Sequence, residues 1–392
     1  MKKITVLNKN IGDRSLLITI FSFLLFGLIM IANATAIHSN TLYDDPYRFV
    51  LLQAGWIALG LVGFFIFYRL DYRHLEKVSF VLFVVNLGLL AFLALVSFLP
   101  CTSGFGFAPC VNGANRWLYL NPAPFPKLPF LGVAGFQPSE MAKLTLIMYL
   151  SVQLSKRLKN GEDPFWAYFI TSLLVAGLII LEPNMSTAVM VFAIGTVIFF
   201  ASGASLKKLY MLVPPALVSI AGFILLSPYR RTRLFTLLGL GNSSTTDLTM
   251  GYHIKQILIA LGSGGIFGVG FGQSRQKYQY LPEVASDSIF AIIGEEFGFI
   301  GTTLVIIAFS YLIYKGFSIA KRTEDPVGKL MAVGITAWIA LQFFVNVGAM
   351  AQIIPLTGVP LPLISYGGSS MVFTLMALGI LANISKSHNK EH

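Results

Sequence analysis

Stretches of about twenty apolar residues recur from Leu16 to the C-terminus, and nothing else in the chain constrains its fold so tightly. A backbone in lipid must satisfy its own hydrogen bonds, so helices are the expected solution for such runs. The pattern predicts an all-α polytopic integral membrane protein. Ten spans are read, at about 15–36, 49–68, 78–99, 139–156, 165–181, 185–203, 207–227, 288–314, 329–353 and 367–385. Only 11% of the 392 residues are charged and 55% are hydrophobic. No segment between spans is long enough to form a separate soluble domain, so residues 1–392 are read as one membrane domain.

A net charge of +11 invites a nucleic-acid reading, but the distribution of the cations argues against it. With the N-terminus inside, the inner segments hold Lys2, Lys3, Lys9 and Arg14, then Arg69, Arg73 and Lys77, then Lys156, Arg157 and Lys159. Lys207, Lys208, Lys315, Lys321, Arg322, Lys329, Lys386 and Lys390 follow the same side. Cytoplasmic loops of membrane proteins are enriched in Lys and Arg, so the basicity reads as topology rather than nucleic-acid binding. Both termini, residues 1–14 and 386–392, are then cytoplasmic tails of a multi-pass membrane protein. The first apolar run is longer than a signal-peptide core of roughly 7–15 residues and is read as a retained span, despite the small residues near Ala34.

Two loops, at 100–138 and 228–287, fall outside and are unusually long. Loops of that length in compact proteins are functional or disordered, and neither is of low complexity. Function is therefore expected on the outer face. Cys101 and Cys110 bracket a glycine-rich stretch of the first loop, where disulfides are permitted; they are read as a loop-stapling pair, with two free thiols as the alternative. In the second loop, Ile254, Ile257, Leu258 and Leu261 lie at helical spacing. That helix either lies in the headgroup plane or packs on the protein's own outer face.

The glycine-rich "GSGGIFGVGFGQS" fits no nucleotide-binding fingerprint: no strand precedes it and Gln273 stands where the third glycine belongs. Turn geometry accounts for its glycines, and an approach of their backbone N–H groups to a diphosphate is the alternative. The five His residues are scattered, and no metal motif or other cofactor motif is evident; a divalent cation such as Mg²⁺ is not readable from the sequence.

"VASDSIFAIIGEEFGFIG" places Asp287, Glu295 and Glu296 at the head of an apolar run. At about 100° per residue, Ala291, Gly294, Gly298 and Gly301 share a small-residue face, with Asp287 at its outer end. Asp287 is read as a helix N-cap or a catalytic acid. Glu295 and Glu296 point elsewhere, and two turns deep they are expected to be paired or functional. In "FQPSEMAKL", Glu140 and Lys143 are i, i+3 neighbours at a helix start. They form a local ion pair or serve the site. "LTGVPLPLISYGGSSM" reads as a surface loop or a re-entrant segment; its Ser365 lacks the Gly-x-Ser-x-Gly elbow of a hydrolase nucleophile.

Taken together, "GANRWL" (113–118), "QPSEMAKL" (137–144), "EPNMSTAVM" (182–190), residues 251–283, "DSIFAIIGEEFGFIG" (287–301) and "PLTGVPLPLISYGGSS" (355–370) resemble the SEDS family (shape, elongation, division, sporulation), nearer its FtsW branch than its RodA branch. The resemblance runs over almost the whole chain. It departs at Ala285-Ser286-Asp287-Ser288, where the family has His-Thr-Asp-Phe. It departs also at Asn184 and Ser186, where the family has Asp and Gly, and at Gln352, where it has Gly.

The resemblance implies a peptidoglycan glycosyltransferase that polymerises lipid II into β-1,4 glycan strands at the outer face, in cell division, releasing undecaprenyl diphosphate. It implies Asp287 as the essential acid and Glu140 and Lys143 as site residues. It also implies a class B penicillin-binding protein, a single-span transpeptidase, as partner, among other divisome or elongasome membrane proteins. A carboxylate base suits a weak sugar nucleophile, and cations suit a diphosphate leaving group. Arg116, Lys143, Arg275 and Lys277 lie in matching blocks and are favoured over Arg230, Arg231, Arg233 and Lys255. Glu140 and Ser365 complete the candidate substrate contacts. The rival readings are a lipid II flippase, and a division scaffold whose active site has decayed.

Overall fold

Asp13 opens the first helix by accepting hydrogen bonds from the backbone N–H groups of Ser15 and Leu16, two of the donors a helix start leaves free. The computed structural model describes residues 12–387, apart from short stretches within 100–133, most of 206–244 and residue 279. In chain order the helices are α1 (Arg14–Tyr43), α2 (Arg48–Arg69), α3 (Tyr72–Val96), α4 (Pro138–Lys159), α5 (Phe165–Leu181) and α6 (Met185–Ala201), then α7 (Thr245–Gly264), α8 (Ile289–Arg322), α9 (Pro326–Met350) and α10 (Gly368–Ser387). Among them α1, α2, α3, α8, α9 and α10 are long and apolar enough to cross a membrane, and α5 and α6 are shorter apolar helices. Most of the expected span at 207–227, and Arg230, Arg231 and Arg233, lie outside the described residues.

The bundle centres on α4 and α9, whose faces are mostly buried against α3, α6, α8 and α10. The α2 and α10 helices touch most extensively; Gly379 lets α10 lie against the Phe64 backbone, where a Cβ would collide with the Phe64 carbonyl. The outward faces of α2 and α3 carry exposed Phe, Leu and Val, as lipid-facing helices should.

The first long loop, at 100–138, contains an antiparallel pair, β1 (Leu118–Tyr119) with β2 (Gly135–Phe136), in the register Leu118 to Phe136. A disulfide joins Cys101 to Cys110. The amphipathic stretch of the second loop is α7. Its Ile257 and Ala260 are buried, α7 packs chiefly on α8, and Leu258 and Ile259 remain exposed.

The α8 helix breaks its ladder at Gly298, whose φ of 65° and ψ of −161° suit glycine alone. The groups freed by the break find partners in the glycine-rich stretch after α7. Phe299 N donates to Gly265 O at 2.9 Å and Ile300 N to Ile266 O at 3.2 Å. In return Val269 N donates to Glu295 O at 3.0 Å and Gly270 N to Glu296 O at 3.1 Å. Gly268 lies so close to α8 that a Cβ would collide with the Glu296 carbonyl. The glycines therefore serve close packing between two irregular backbones, each satisfying the other. The small-residue face of α8 meets helix α7 at Gly294, against Leu261 and Gly264, and the glycine-rich stretch at Gly298, against Ile266 and Gly268.

Candidate active site

A cavity of about 1030 Å³ opens where the first long loop, the starts of α4 and α6, and the loop between α9 and α10 converge. Its polar lining includes Arg116, Glu140, Lys143, Asn184, Glu283 and Ser286. Met185, Val189, Met190, Ala193, Leu341 and Val345 give another part of its wall an apolar character.

At the start of α4, Pro138 occupies the first turn, where a missing N–H costs nothing, and Glu140 follows where the helix dipole favours an acid. One turn on, Lys143 Nζ lies 2.8 Å from Glu140 Oε1, and both side chains are almost wholly buried. Lys143 also donates to Gln342 Oε1 at 3.2 Å and stands 4.8 Å from the Trp338 ring centroid. Gln342 accepts from Trp338 Nε1 at 2.7 Å and donates through Nε2 to Pro360 O at 3.0 Å. It thereby holds the cation to the proline-rich loop. Glu140 Oε2 is buried at the cavity with no hydrogen-bond partner among the described residues.

Asp287 is 8% exposed and lies one residue before the N-cap of α8, which is Ser288. The N-cap reading of Asp287 is therefore corrected. Ser286 Oγ hydrogen-bonds to Glu283 Oε2 at 2.8 Å and Asp287 Oδ1 at 3.2 Å, linking the two acids in one turn. Asn346, on α9, donates through Nδ2 to both Asp287 O and Val359 O at 2.8 Å. Across the gap, a Cβ on Gly358 would stand 3.7 Å from Asp287 Oδ2. Gly358, Ser286 and Glu283 all line the cavity, so Asp287 sits at its edge. Ser288, standing where the family has Phe, is 2.9 Å from His253 Nε2 of α7.

Arg116 reaches the turn between α5 and α6, donating from Nε to Glu182 O at 3.1 Å and from Nη2 to Pro183 O. Neither carboxylate oxygen of Glu182 has a hydrogen-bond partner among the described residues. Burial pushes the Glu182 carboxyl up to about 8, against the opposing pull of the nearby Arg116 charge. Asn184 caps α6 by accepting from Thr187 N at 3.4 Å, and Ser186 Oγ donates to Thr357 O at 2.8 Å. Both departures from the family pattern thus retain contacts at the cavity. Gln352 has a φ of 57°, in the region that favours the family's glycine.

Three of the sequence-named residues are placed away from the cavity. Lys277 is buried and directs Nζ to Asn33 Oδ1 at 2.8 Å, Gly272 O at 2.6 Å and Glu296 Oε1 at 3.3 Å. Arg275 is exposed and absent from the cavity wall. Ser365 is buried, its Oγ accepting from Leu361 N at 2.7 Å to close a turn; its neighbours Tyr366, Gly367, Ser369 and Ser370 reach the cavity instead. Ser365 and Lys277 therefore hold backbone rather than lining the cavity. The loop from Pro355 to Gly367 is largely buried in protein.

Sequence reasoning missed Glu283, Asn346 and Gln342. The last two carried a usable signal, since an amide inside an apolar span is costly unless it has partners. Glu283 lies four residues before Asp287, but its relation to Ser286 depends on the turn.

Comparison with known proteins agrees with this architecture. Stage V sporulation protein E of Bacillus subtilis is 36% identical over 384 residues, covering 96% of this chain and 98% of that protein. A probable peptidoglycan glycosyltransferase FtsW of the same organism is 34% identical, covering 95% and 90%. Among solved structures, a peptidoglycan synthase complex described as coordinating polymerization and crosslinking superposes with a TM-score of 0.73 at 23% identity, covering 97% of this chain and 99% of the other. The crystal structure of the rod shape determining protein RodA of Thermus thermophilus gives 0.66 at 24% identity, covering 97% and 98%. The FtsW/RodA/SpoVE family model, described as cell cycle protein, matches residues 14–390, and the chain belongs to that family.

Proposed function

We propose that the chain is a peptidoglycan glycosyltransferase that polymerises lipid II at the outer face of the cytoplasmic membrane, in cell division. The observation that carries this reading is one cavity bordered by a cation-bearing wall and an acidic turn: Arg116 and Lys143 on one part, Glu283, Ser286 and the adjoining Asp287 on another. Relatives at 33% and 34% identity over 95% of the chain bear the name of this activity.

In the proposed reaction the acceptor sugar hydroxyl attacks the donor's anomeric carbon, and the bond from that carbon to the diphosphate oxygen breaks. Asp287 takes the hydroxyl proton, and the undecaprenyl diphosphate leaves with the bond's electron pair. A hydroxyl is a poor nucleophile until its proton has a destination, which is the value of a carboxylate there. Arg116 and Lys143 stabilise the charge gathering on the diphosphate. The apolar part of the cavity wall suits the lipid chain of such a substrate. Among the described residues, no three His, Cys, Asp or Glu side chains gather as a metal site. The assay is therefore run with and without a divalent cation.

The distribution of Lys and Arg supports two cytoplasmic termini. The similar synthase complex supports a class B penicillin-binding protein as partner. Purified chain, reconstituted with that partner and given lipid II, is expected to produce glycan polymer, and Asp287→Ala none. Normal polymerisation by Asp287→Ala would overturn the base assignment. Lipid II transfer across vesicles without polymer from either protein would favour the flippase.

A further inference from the structure

Glu295 and Glu296 are 2% and 1% exposed, and the proposed reaction uses neither. Both are heavily bonded. Glu295 accepts from Ser274 Oγ, from Arg275 N at 2.9 Å and from Gln276 N at 3.4 Å. Glu296 accepts from Asn33 Nδ2 of α1, from Ser274 N at 3.3 Å and from Lys277 Nζ at 3.3 Å. Ser274 Oγ also accepts from Lys277 N at 3.3 Å. These bonds hold residues 274–277 against the second turn of α8. The chain between the two ends of this clasp is a closed ring, and it contains Glu283, Ser286 and Asp287.

We infer that Glu295 and Glu296 are positioning residues, which close the ring of residues 274–296 and so set the turn that presents Asp287 to the cavity. The physical reason is entropic as well as geometric. On the ring's far side, Tyr366 N donates to Ala285 O at 2.7 Å and Asn346 Nδ2 to Asp287 O at 2.8 Å. Pinning its base removes much of the freedom such a loop would otherwise have. A carboxylate suits the task because it accepts several N–H and O–H donors at once and offers no donor of its own. A glutamine in place of Glu295 would turn an N–H₂ toward Ser274, Arg275 or Gln276 and lose at least one of those bonds. Lys277 offsets the charge of Glu296 alone, at 3.3 Å from its Oε1, which explains a cation that never reaches the cavity.

The inference rests on the glycosyltransferase reading, and the test separates the two. Wild type, Glu295→Gln, Ser274→Ala and Ser274→Thr are compared as full chains, with the partner transpeptidase and lipid II. Turnover per folded molecule is expected to fall at least ~10-fold in Glu295→Gln and several-fold in Ser274→Ala, with KM within about twofold, because a misplaced base affects reaction more than binding. Ser274→Thr keeps the hydroxyl and should keep near-wild-type turnover. Hydrogen exchange should quicken in residues 273–288 of Glu295→Gln, while the cytoplasmic half of α8 stays protected.

Equal turnover in wild type and Glu295→Gln would overturn the inference and leave the proposed function standing. So would a loss that merely follows the amount of folded protein, or one that Ser274→Thr shares with Ser274→Ala. Absence of polymer from wild type would instead overturn the glycosyltransferase reading, and the positioning role with it.

Discussion

Lys143 Nζ sits 2.8 Å from Glu140 Oε1 inside the bundle, and the other oxygen of that carboxylate has no hydrogen-bond partner among the described residues. Removing one member of a buried pair strands the other, at a cost of about 3–5 kcal/mol. Lys143→Met is expected to destabilise the protein by that order and to lower polymerisation at least ~100-fold. Adding Glu140→Gln should recover stability without recovering activity. Thermal unfolding in detergent and a lipid II polymerisation assay read the two effects separately. A stable, inactive single variant would show that the pair serves only the reaction.

Asn346 spans the cavity edge, with one amide group serving both Asp287 O and Val359 O. Asn346→Leu leaves two buried carbonyls short of a partner, costing about 1–3 kcal/mol each. Turnover should fall as the acidic turn and the Gly358 loop drift apart, while binding of lipid II changes less. The same turnover at saturating substrate would remove Asn346 from the positioning of Asp287.

Glu182 supplies a pH dependence whose sign is fixed by its raised carboxyl pKa. The folded protein holds a proton up to about 8, whereas the unfolded chain releases it near the ordinary value of 4.5. Its contribution to stability is therefore fully present below 4.5 and is lost as pH rises toward 8. Glu182→Gln should flatten this part of the stability profile. Unfolding midpoints measured between pH 5 and 9 check it; parallel wild-type and variant curves would contradict the assignment.

The disulfide from Cys101 to Cys110 closes a short loop. Replacing both with Ser should cost about 2–3 kcal/mol on the chain-entropy model, with the loss localised to that loop. Hydrogen exchange across residues 101–119 should rise while the α4 core stays protected.

Gln352→Gly is expected to stabilise the fold by about 0.5–1 kcal/mol. It relieves a left-handed backbone at φ 57°, partly offset by the greater freedom of glycine in the unfolded chain. A lower melting temperature would mean that the Gln352 side chain contributes more than its backbone costs.

The membrane class and most of the spans followed from apolar run length, because lipid leaves a chain no other way to satisfy its backbone. Glu140 with Lys143 was likewise legible, since i, i+3 spacing on one helix brings the two side chains together whatever surrounds them. Asp287 was singled out by its position at the mouth of a span. Its company was not: Ser286 and Glu283 reach it through a turn, and Asn346 arrives from a helix 59 residues away. Lys277 and Glu296, 19 residues apart, share no local periodicity. Only the return of the glycine hairpin along the broken helix α8 brings them together. Periodicity determined which helices form and which faces they bury. Tertiary packing decided which polar groups meet, because partners for a buried charge are recruited across space rather than along the chain.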